Sequence, residues 1–365
     1  MALAPSVVLV QTAVADYRQR VLDLLVADLG DRFTLYVGRC YFEPSVETRI
    51  DLGDRVRIVR NRFFANRRAL FQHGVIVPAV RSDVAILELN PRIVSVWVTL
   101  LARRTLGKRS IIWGHAWSRR GPHLTSNYVR RLMWRLAGVV LLYTRQQAAE
   151  VLEWAPETCV VVAPNALYAA SEIAPVTAEG ARGFIYVGRL VASKKPGLLL
   201  RAFFAALEDL GDDGYLTFVG DGPLRAELER EVSRESRADR VAFLGHIGSR
   251  SVLEGLYAGV LASVSPGYAG LSLIQSLSFG VPMIIASEDP HGPEIAAAED
   301  EVNCARFEAD NADALSAVLN DFVRNRGSWL DRRAAIAASC AVEYSVEAMA
   351  AGIEEAVDLA VRPSR

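Results

Sequence analysis

Short apolar runs alternate with segments of helical period along the first half of the chain. The apolar runs are Val7–Val10, Phe33–Val37, Asp83–Leu89, Arg109–Trp113, Val139–Tyr143 and Cys159–Ala163. Amphipathic segments such as Tyr17–Leu29 lie between them. Buried strands that alternate with helices are typical of βα units, so this half predicts a parallel sheet of the α/β class. The arginine-rich piece Asp54–Arg68 predicts a strand followed by a loop.

The second half repeats this pattern after a change in composition. Residues 169–183 are rich in Ala, Glu, Pro and Gly and lack a clear period, so they predict a linker. The next strands predicted are Phe184–Val187, Tyr215–Val219, Val241–Leu244, Val260–Val264 and Met283–Ala286. We therefore predict two doubly wound domains, residues 1–168 and 184–345, that bind ligands at the carboxyl ends of their strands. The last helix, within 346–365, is expected to pack back on the first domain.

Composition is that of a soluble globular enzyme, with 51% hydrophobic and 23% charged residues. The chain shows no apolar run near the roughly 20 residues that span a bilayer, and its start predicts a strand rather than a signal peptide. The four cysteines form no C-x-x-C pair, so neither a disulfide framework nor a zinc site is indicated. We expect a cytoplasmic protein with reduced thiols.

The net charge of −1 hides an asymmetry between the two halves. Residues 1–170 hold 23 Lys+Arg against 13 Asp+Glu, whereas the remainder holds 18 against 29. A basic half favours an anionic surface or substrate. Nucleic acid is a weaker explanation, because no recognised binding motif is present and the other half is acidic.

Two arginine clusters, Arg60–Arg68 and Arg103–Arg109, allow two interpretations. The tryptophans near them in sequence are Trp97, Trp113, Trp117 and Trp134. Together these residues fit a basic surface that rests on anionic lipid at the inner face of the membrane. They equally fit solvated arginines around tryptophans that pack in the core.

Four successive strands of the second domain each end in a glycine-bearing turn. The turns read GRLVASKKP after Val187, GDGPL after Val219, LGHI after Phe243 and PGYAGL after Ser265. Arg189 and Lys194 at a strand end suit a diphosphate, and the helix that starts near Gly270 offers free N–H groups to an anion. Each turn alone is as easily an ordinary solvated loop. Four in one domain predict a phosphate-binding edge.

The order GRL…K, VGDGPL, V-x-FLG, LY…SVSPG…GL…FG-x-P, GPEI resembles the donor domain of retaining GT-B glycosyltransferases of family GT4. The resemblance covers residues 184–320 strongly and the first half more loosely. It implies two Rossmann-like domains that face each other across a cleft. It also implies transfer of a hexose from a nucleoside diphosphate sugar to a glycan or lipid-linked glycan, without a metal or another cofactor.

The resemblance also implies roles for individual residues. The implied catalytic residues are His115, Arg189 and Lys194. The implied ligands of the donor diphosphate are Arg189, Lys194, Gly270 and Leu271. The implied nucleoside-binding residues are Val219, Gly220, Gly245, His246, Ile247 and Gln275. His115 follows the strand Arg109–Trp113, where family members place a histidine near the transferred sugar; the alternative is a histidine held by local backbone.

The sequence departs from the family where two glutamates usually stand eight residues apart. Gly267 and Gln275 occupy those positions. A glutamine can still bond ribose hydroxyls, but a glycine offers no side chain to the sugar. The candidates for contact with the donor sugar are Gly267, Tyr268, Ala269 and Glu294. The departure keeps a second hypothesis open, a nucleotide-sugar-binding protein with little turnover; a sugar-nucleotide epimerase of the same fold is a third that the motif order does not favour.

The acceptor site is the least defined part of the prediction. The loop after the first strand, QTAVADYR, is not glycine-rich, although the family often has a glycine-rich acceptor loop there. The candidates for acceptor contact are Tyr17, Arg18, Arg119 and Arg120.

Overall fold

The computed structural model describes residues 5–43, 46–118, 127–177, 180–210 and 214–362. The chain divides into a first unit, Met1–Leu167 with Val346–Arg365, and a second unit, Tyr168–Ser345. The segment predicted as a linker lies in the second unit, where the Val176 N–H donates to the Phe279 carbonyl at 3.0 Å.

Within the described residues, the first unit has seven strands in one parallel sheet. They are β1 (Val7–Gln11), β2 (Phe33–Gly38), β3 (Val56–Val59), β6 (Val84–Glu88), β7 (Ser110–Trp113), β8 (Gly138–Leu142) and β9 (Cys159–Val162). A separate antiparallel hairpin consists of β4 (Asn61–Phe64) and β5 (Ala69–Gln72). The helices are α1 (Gln19–Leu29), α2 (Ile76–Arg81), α3 (Val94–Thr105), α4 (Asn127–Ala137), α5 (Arg145–Trp154) and α13 (Val346–Val361). The sheet order is β3-β2-β1-β6-β7-β8-β9.

The central strands of this sheet are apolar throughout because helices cover both of its faces. On one face, Met349, Ile353 and Val357 of α13 share a core with Leu22 and Leu25 of α1. Their spacing of four residues places the three α13 side chains on one side of the helix. The last helix of the chain is therefore part of the first unit's core.

The second unit has six described strands in one parallel sheet. They are β10 (Gly183–Val187), β11 (Leu216–Val219), β12 (Val241–Phe243), β13 (Val260–Ser265), β14 (Met283–Ala286) and β15 (Cys304–Phe307). The helices are α6 (Pro196–Leu210), α7 (Arg225–Val232), α8 (Arg250–Ala258), α9 (Leu271–Ser278), α10 (Ala312–Arg324), α11 (Arg326–Asp331) and α12 (Arg333–Glu343). The order β12-β11-β10-β13-β14-β15 is that of a doubly wound sheet. Two Rossmann-like sheets confirm the predicted fold class.

The structure differs from the prediction at Asp54–Arg68, which forms β3 and the start of the β4–β5 hairpin rather than a strand and a loop. The hairpin turn places Ala65, Asn66 and Arg67 in the left-handed region, with φ of 50°, 52° and 59°. Exposed arginines interrupt the apolar pattern that would have revealed these short strands. The strand β15 was also not predicted, because Arg306 breaks its four-residue run.

By length and composition alone, the helical run Arg326–Val361 is apolar enough to cross a membrane. The sequence prediction did not find such a run. Half of its most apolar window is buried inside the structure, and the run is divided into α11, α12 and α13. Core helices of soluble proteins pass the same test, so this run is weak evidence for a membrane span.

Candidate functional site

The centre of the second unit's sheet is a topological switch point. The strand β10 pairs with β11 on one side and with β13 on the other, and chain order reverses between β10 and β13. Loops leave the carboxyl ends of such neighbouring strands in opposite directions and open a crevice for ligands. The loop after β10 carries Arg189 and Lys194, and the loop after β13 carries Gly267 and Gly270.

Glycines allow the turns at this edge to touch through bare backbone. Gly220 has a φ of 137°, and a Cβ on it would lie 1.9 Å from the Gly188 carbonyl oxygen. Gly188 donates to the Val219 carbonyl at 2.9 Å, and Gly220 donates to the Gly245 carbonyl at 2.7 Å. The predicted nucleoside residues Val219, Gly220 and Gly245 thus connect the ends of three neighbouring strands.

The two cations predicted for the diphosphate differ in their surroundings. Arg189 is exposed, and its guanidinium makes no hydrogen bond or ion pair within the part of the chain that the structure describes. Lys194 is half-buried, and its Nζ donates to the Tyr268 carbonyl at 3.1 Å. Burial lowers the pKa of the Lys194 ammonium, and the Glu294 carboxylate opposes that shift. An anion bound here could accept hydrogen bonds from the unpaired Arg189 guanidinium and from the Lys194 ammonium. Because burial already removes water from that ammonium, binding the anion would cost it little further hydration.

Lys195, the next residue, forms ion pairs within the protein. The Lys195 Nζ lies 2.9 Å from an Asp289 carboxylate oxygen and 2.8 Å from Asp310. These carboxylates raise the pKa of Lys195 against the effect of burial. Its charge is therefore used within the protein, and it is not a second candidate for the diphosphate.

The helix α9 begins at this edge without a side-chain cap. Gly270 stands at its N-cap position and has no side chain that could accept the first N–H groups of the helix. The Cβ position of Gly270 lies 3.3 Å from the Tyr268 ring and 3.8 Å from Glu294 Oε2. The predicted phosphate ligands Gly270 and Leu271 therefore lie beside two of the residues predicted to contact the donor sugar. The helix dipole favours an anion at this end.

The structure shows that Gly267 does not leave an empty contact for the donor sugar. A Cβ at this position would lie 2.6 Å from the Ser193 carbonyl oxygen and 2.9 Å from the carbonyl carbon of Lys194. Tyr268, the next residue, donates its N–H to the same Ser193 oxygen at 3.0 Å. The site of the missing side chain is thus filled by the loop after β10.

His291 was not predicted, yet it holds the loop before α9 in place. Its Nδ1 accepts the Ala269 N–H at 3.1 Å, so Nε2 carries the proton and donates to the Ala286 carbonyl at 2.8 Å. Burial lowers the pKa of His291, which keeps the ring in this neutral form. Gly292 completes the contact by donating to the Ala269 carbonyl at 2.7 Å. The backbone of Ala269 is fully engaged and the residue is completely buried, so the predicted contact of Ala269 with a donor sugar has no free group to make it.

Gln275 is held by two tyrosines of the same unit. Its Nε2 donates to the Tyr168 hydroxyl at 3.2 Å, and its Oε1 lies 3.5 Å from the Tyr257 hydroxyl. These bonds fix the amide on α9. Of the remaining predicted nucleoside residues, His246 is exposed and Ile247 is half-buried.

In the first unit, three of the predicted residues gather around Tyr143. Arg18 donates to the Tyr143 hydroxyl at 2.8 Å and to the Tyr17 hydroxyl at 3.2 Å. Its guanidinium lies 4.5 Å from the centre of the Trp113 ring, in a cation–π contact. The exposed ring of His115 lies 5.0 Å from the ring of Tyr143. Arg119 and Arg120 lie outside the described residues.

The first unit also holds a carboxylate that was not predicted. Glu88, at the carboxyl end of β6, accepts the Thr12 N–H at 3.0 Å and an Asn90 side-chain N–H at 3.3 Å. Burial and then the Glu88 carboxylate raise the pKa of Tyr41, whose hydroxyl also lies against Glu88. Glu88 thereby fixes the loop after β1, which is next to β6 at the switch point of this sheet.

No group of three or more His, Cys, Asp or Glu side chains is arranged to hold a metal ion within the described ranges. Cys40, Cys159, Cys304 and Cys340 are free thiols.

Comparisons with known proteins agree with this architecture. Residues 172–339, just under half of the chain and wholly inside the second unit, match the family model described as glycosyl transferases group 1. The GDP-mannose-dependent alpha-(1-6)-phosphatidylinositol dimannoside mannosyltransferase of Mycobacterium tuberculosis strain H37Ra is 34% identical over 105 residues. That stretch is 28% of this chain and 26% of the relative, so the match spans about a quarter of the relative's length.

Solved structures share the whole fold. The structure of Anabaena HepE in complex with UDP has a TM-score of 0.67 and 16% identity, over 96% of this chain and 99% of that chain. A glycosyltransferase from Rickettsia africae has a TM-score of 0.70 and 13% identity, over 98% and 99% of the two chains. At these identities the likeness shows the fold alone, which is GT-B. Together with the family match, it supports a GT-B glycosyltransferase.

Proposed function

We propose that this protein is a retaining, metal-independent hexosyltransferase of the GT4 type. It would transfer a sugar from a nucleoside diphosphate sugar to a glycan or lipid-linked glycan acceptor. One observation supports the proposal most strongly. Arg189, whose guanidinium is unpaired within the described residues, lies at the same switch point of the sheet as Lys194 and the start of α9. Free thiols fit the reducing cytoplasm as its compartment.

The chemistry that these groups offer suits a departing diphosphate. As the bond between sugar and phosphate breaks, negative charge grows on the phosphate oxygens. Arg189, Lys194 and the first N–H groups of α9 would stabilise that charge, because donors fixed in advance need no reorganisation during the reaction. In a front-face reaction the leaving phosphate itself takes the acceptor proton, so no side-chain base is required. His115 would supply a polar contact to the donor sugar.

The donor half of the proposal is tested by thermal stability in the presence of nucleotide sugars. GDP-mannose and UDP-glucose are the first to try, because the mannosyltransferase and the Anabaena protein are named with them. We expect one of them to protect the protein, and Arg189→Ala to bind it about ten- to a hundredfold less tightly, as for a lost charge-assisted hydrogen bond.

Lys195→Ala is the matched control for that experiment. It removes a positive charge six residues away, but this charge is already paired with Asp289 and Asp310. We expect a lower melting temperature and an unchanged nucleotide affinity. If both variants lost nucleotide affinity equally, the effect would come from the overall charge of this region rather than from a diphosphate site at Arg189. Absence of protection by every nucleotide sugar would contradict the proposed donor.

A second candidate, binding of a nucleotide sugar without transfer, is favoured by the loop before α9. Neither Gly267 nor Gln275 has a carboxylate. In addition, the Ser193 carbonyl lies where a side chain of residue 267 would be, and two tyrosines hold the Gln275 amide. This candidate predicts protection by a nucleotide sugar but no release of nucleotide with any acceptor. Release of nucleotide that depends on Arg189 would exclude it.

A further inference from the structure

The helices α3 and α4 lie side by side on one face of the first unit's sheet. Val96 and Leu100 of α3 share a core cluster with Met133 and Trp134 of α4, and all four are buried. The opposite sides of the two helices therefore point away from the sheet and are neighbours at the surface.

These outward sides are apolar. The exposed apolar residues are Val94, Val98 and Leu101 on α3 and Tyr128, Val129 and Leu132 on α4. Leu101 and Leu132 each expose 51% of their surface, and Tyr128 exposes 65%. Spacings of three and four residues align the members on each helix. We call these six residues the α3–α4 face; a soluble surface rarely collects so many large apolar side chains without a partner.

The sequence around this face carries only positive charge. No Asp or Glu occurs between Glu88 and Glu150, whereas the same stretch holds 11 Lys and Arg. Arg104 and Arg135 are exposed three residues beyond Leu101 and Leu132, so each continues its stripe with a cation. The two helices thus contribute arginines and no acidic side chain to the α3–α4 face, which matches an apolar surface that is itself anionic.

The basic surface predicted from Arg60–Arg68, Arg103–Arg109 and the nearby tryptophans lies only partly at the surface of the protein. Arg103 is buried, and its guanidinium donates to backbone carbonyls such as Ala79 at 2.6 Å. Trp113, Trp117 and Trp134 are buried in the core. On this side of the sheet, the exposed apolar side chains come from α3 and α4 rather than from these tryptophans.

We propose that the α3–α4 face docks this protein on an anionic lipid membrane. The leucine and valine side chains would enter the boundary between head groups and acyl chains, while Arg104 and Arg135 would pair with lipid phosphates. Nucleic acid would gain nothing from the apolar stripe, and a protein partner would need acidic groups around an apolar centre. The proposal concerns attachment and is independent of the donor chemistry proposed above.

Sedimentation of the full chain with vesicles tests the proposal. We expect binding to vesicles of phosphatidylcholine with phosphatidylglycerol at low salt, and much less to phosphatidylcholine alone. The double variant Leu101→Glu/Leu132→Glu should bind roughly tenfold or more weakly, because it places two carboxylates where apolar side chains would enter the lipid. Both side chains are exposed, so the melting temperature should not change.

Val342→Glu is the control, since Val342 is 76% exposed on α12 of the second unit. It should sediment like the original protein. Protein that stays in the supernatant with anionic vesicles would overturn the proposal, and so would equal sedimentation of the double variant. Light scattering covers the remaining outcome. If the original protein forms dimers that the double variant cannot form, the α3–α4 face is a protein interface and the membrane proposal is wrong.

Discussion

The carboxyl edges of the two sheets share a strand order at their centres but are built from different groups. In the second unit, glycines bring backbone against backbone, as where Gly220 meets Gly188 and Gly267 meets Ser193. In the first unit, side chains fill the same edge: Arg18 lies against Tyr143, and Glu88 holds the loop after β1. One edge presents N–H groups and cations, whereas the other presents rings and one carboxylate.

This difference explains which edge can be found in a sequence. A backbone cradle needs glycines at fixed local spacings, so it leaves motifs such as GDGPL and PGYAGL. A side-chain cluster needs only that distant residues meet in the fold. Arg18 and Tyr143 are 125 residues apart, and Thr12 and Glu88 are 76 apart. Such pairs leave no local pattern.

The two edges should also differ in their tolerance of substitution, and Gly220→Ala is expected to have the largest effect. A Cβ would lie 1.9 Å from the Gly188 oxygen, at a φ of 137° that L-residues rarely adopt. We expect the free energy of unfolding of the second unit to fall by about 3 kcal/mol or more, measured by chemical denaturation.

Gly255→Ala is the matched control for Gly220→Ala. Gly255 lies in α8, and no atom stands within 4 Å of its Cβ position. The change should raise stability by about 0.5–1 kcal/mol, because alanine loses less backbone entropy in a helix. If Gly220→Ala proved as mild as Gly255→Ala, the edge would not be the close backbone contact described above.

Sequence patterns predicted the α/β class, the two sheets and the glycine turns because these depend on local periodicity and spacing. They did not predict His291, whose role depends on a 22-residue separation from Ala269. Gly267 shows a subtler failure: its sequence context suggested a vacant contact with the sugar, whereas the fold places the Ser193 carbonyl there. Short strands that carry arginines, such as β15, were missed because a charged side chain at the surface hides the strand period.

A smaller effect is expected from Glu88→Gln in the first unit. Glu88 accepts hydrogen bonds from Thr12 and Asn90, so an amide NH₂ would point at one of these donors. We expect the stability of the first unit to fall by about 1–2 kcal/mol while nucleotide affinity stays unchanged. Glu153→Gln, at an exposed position on α5, should change neither quantity. A parallel loss of nucleotide affinity in Glu88→Gln would argue against separate tasks for the two edges.

The smallest expected effect is a difference in sign between the pH responses of the two units. In the second unit, burial lowers the pKa of His291, so the unfolded chain binds a proton that the folded unit resists. The stability of this unit should therefore fall as pH drops below about 6.5, the ordinary pKa of histidine.

In the first unit, burial, Asp28 and Asp358 raise the pKa of Glu354 to about 7. The folded unit then binds a proton between about pH 4.5 and 7 that the unfolded chain releases, so its stability should rise as pH falls.

Calorimetry between pH 7.5 and 5.5 would measure both responses, and the variants identify each transition. The transition that Gly220→Ala lowers belongs to the second unit, and we expect it to move down by roughly 1–3 °C on acidification while the other moves up. Glu354→Gln should flatten only the response of the first unit, since the amide cannot titrate. His291→Gln should flatten only that of the second unit. Movement of both transitions in the same direction, unaffected by either variant, would show that neither group controls the pH response. Opposite movement would mean that a shift in pH loosens the loop before α9 while it strengthens the contact between α1 and α13.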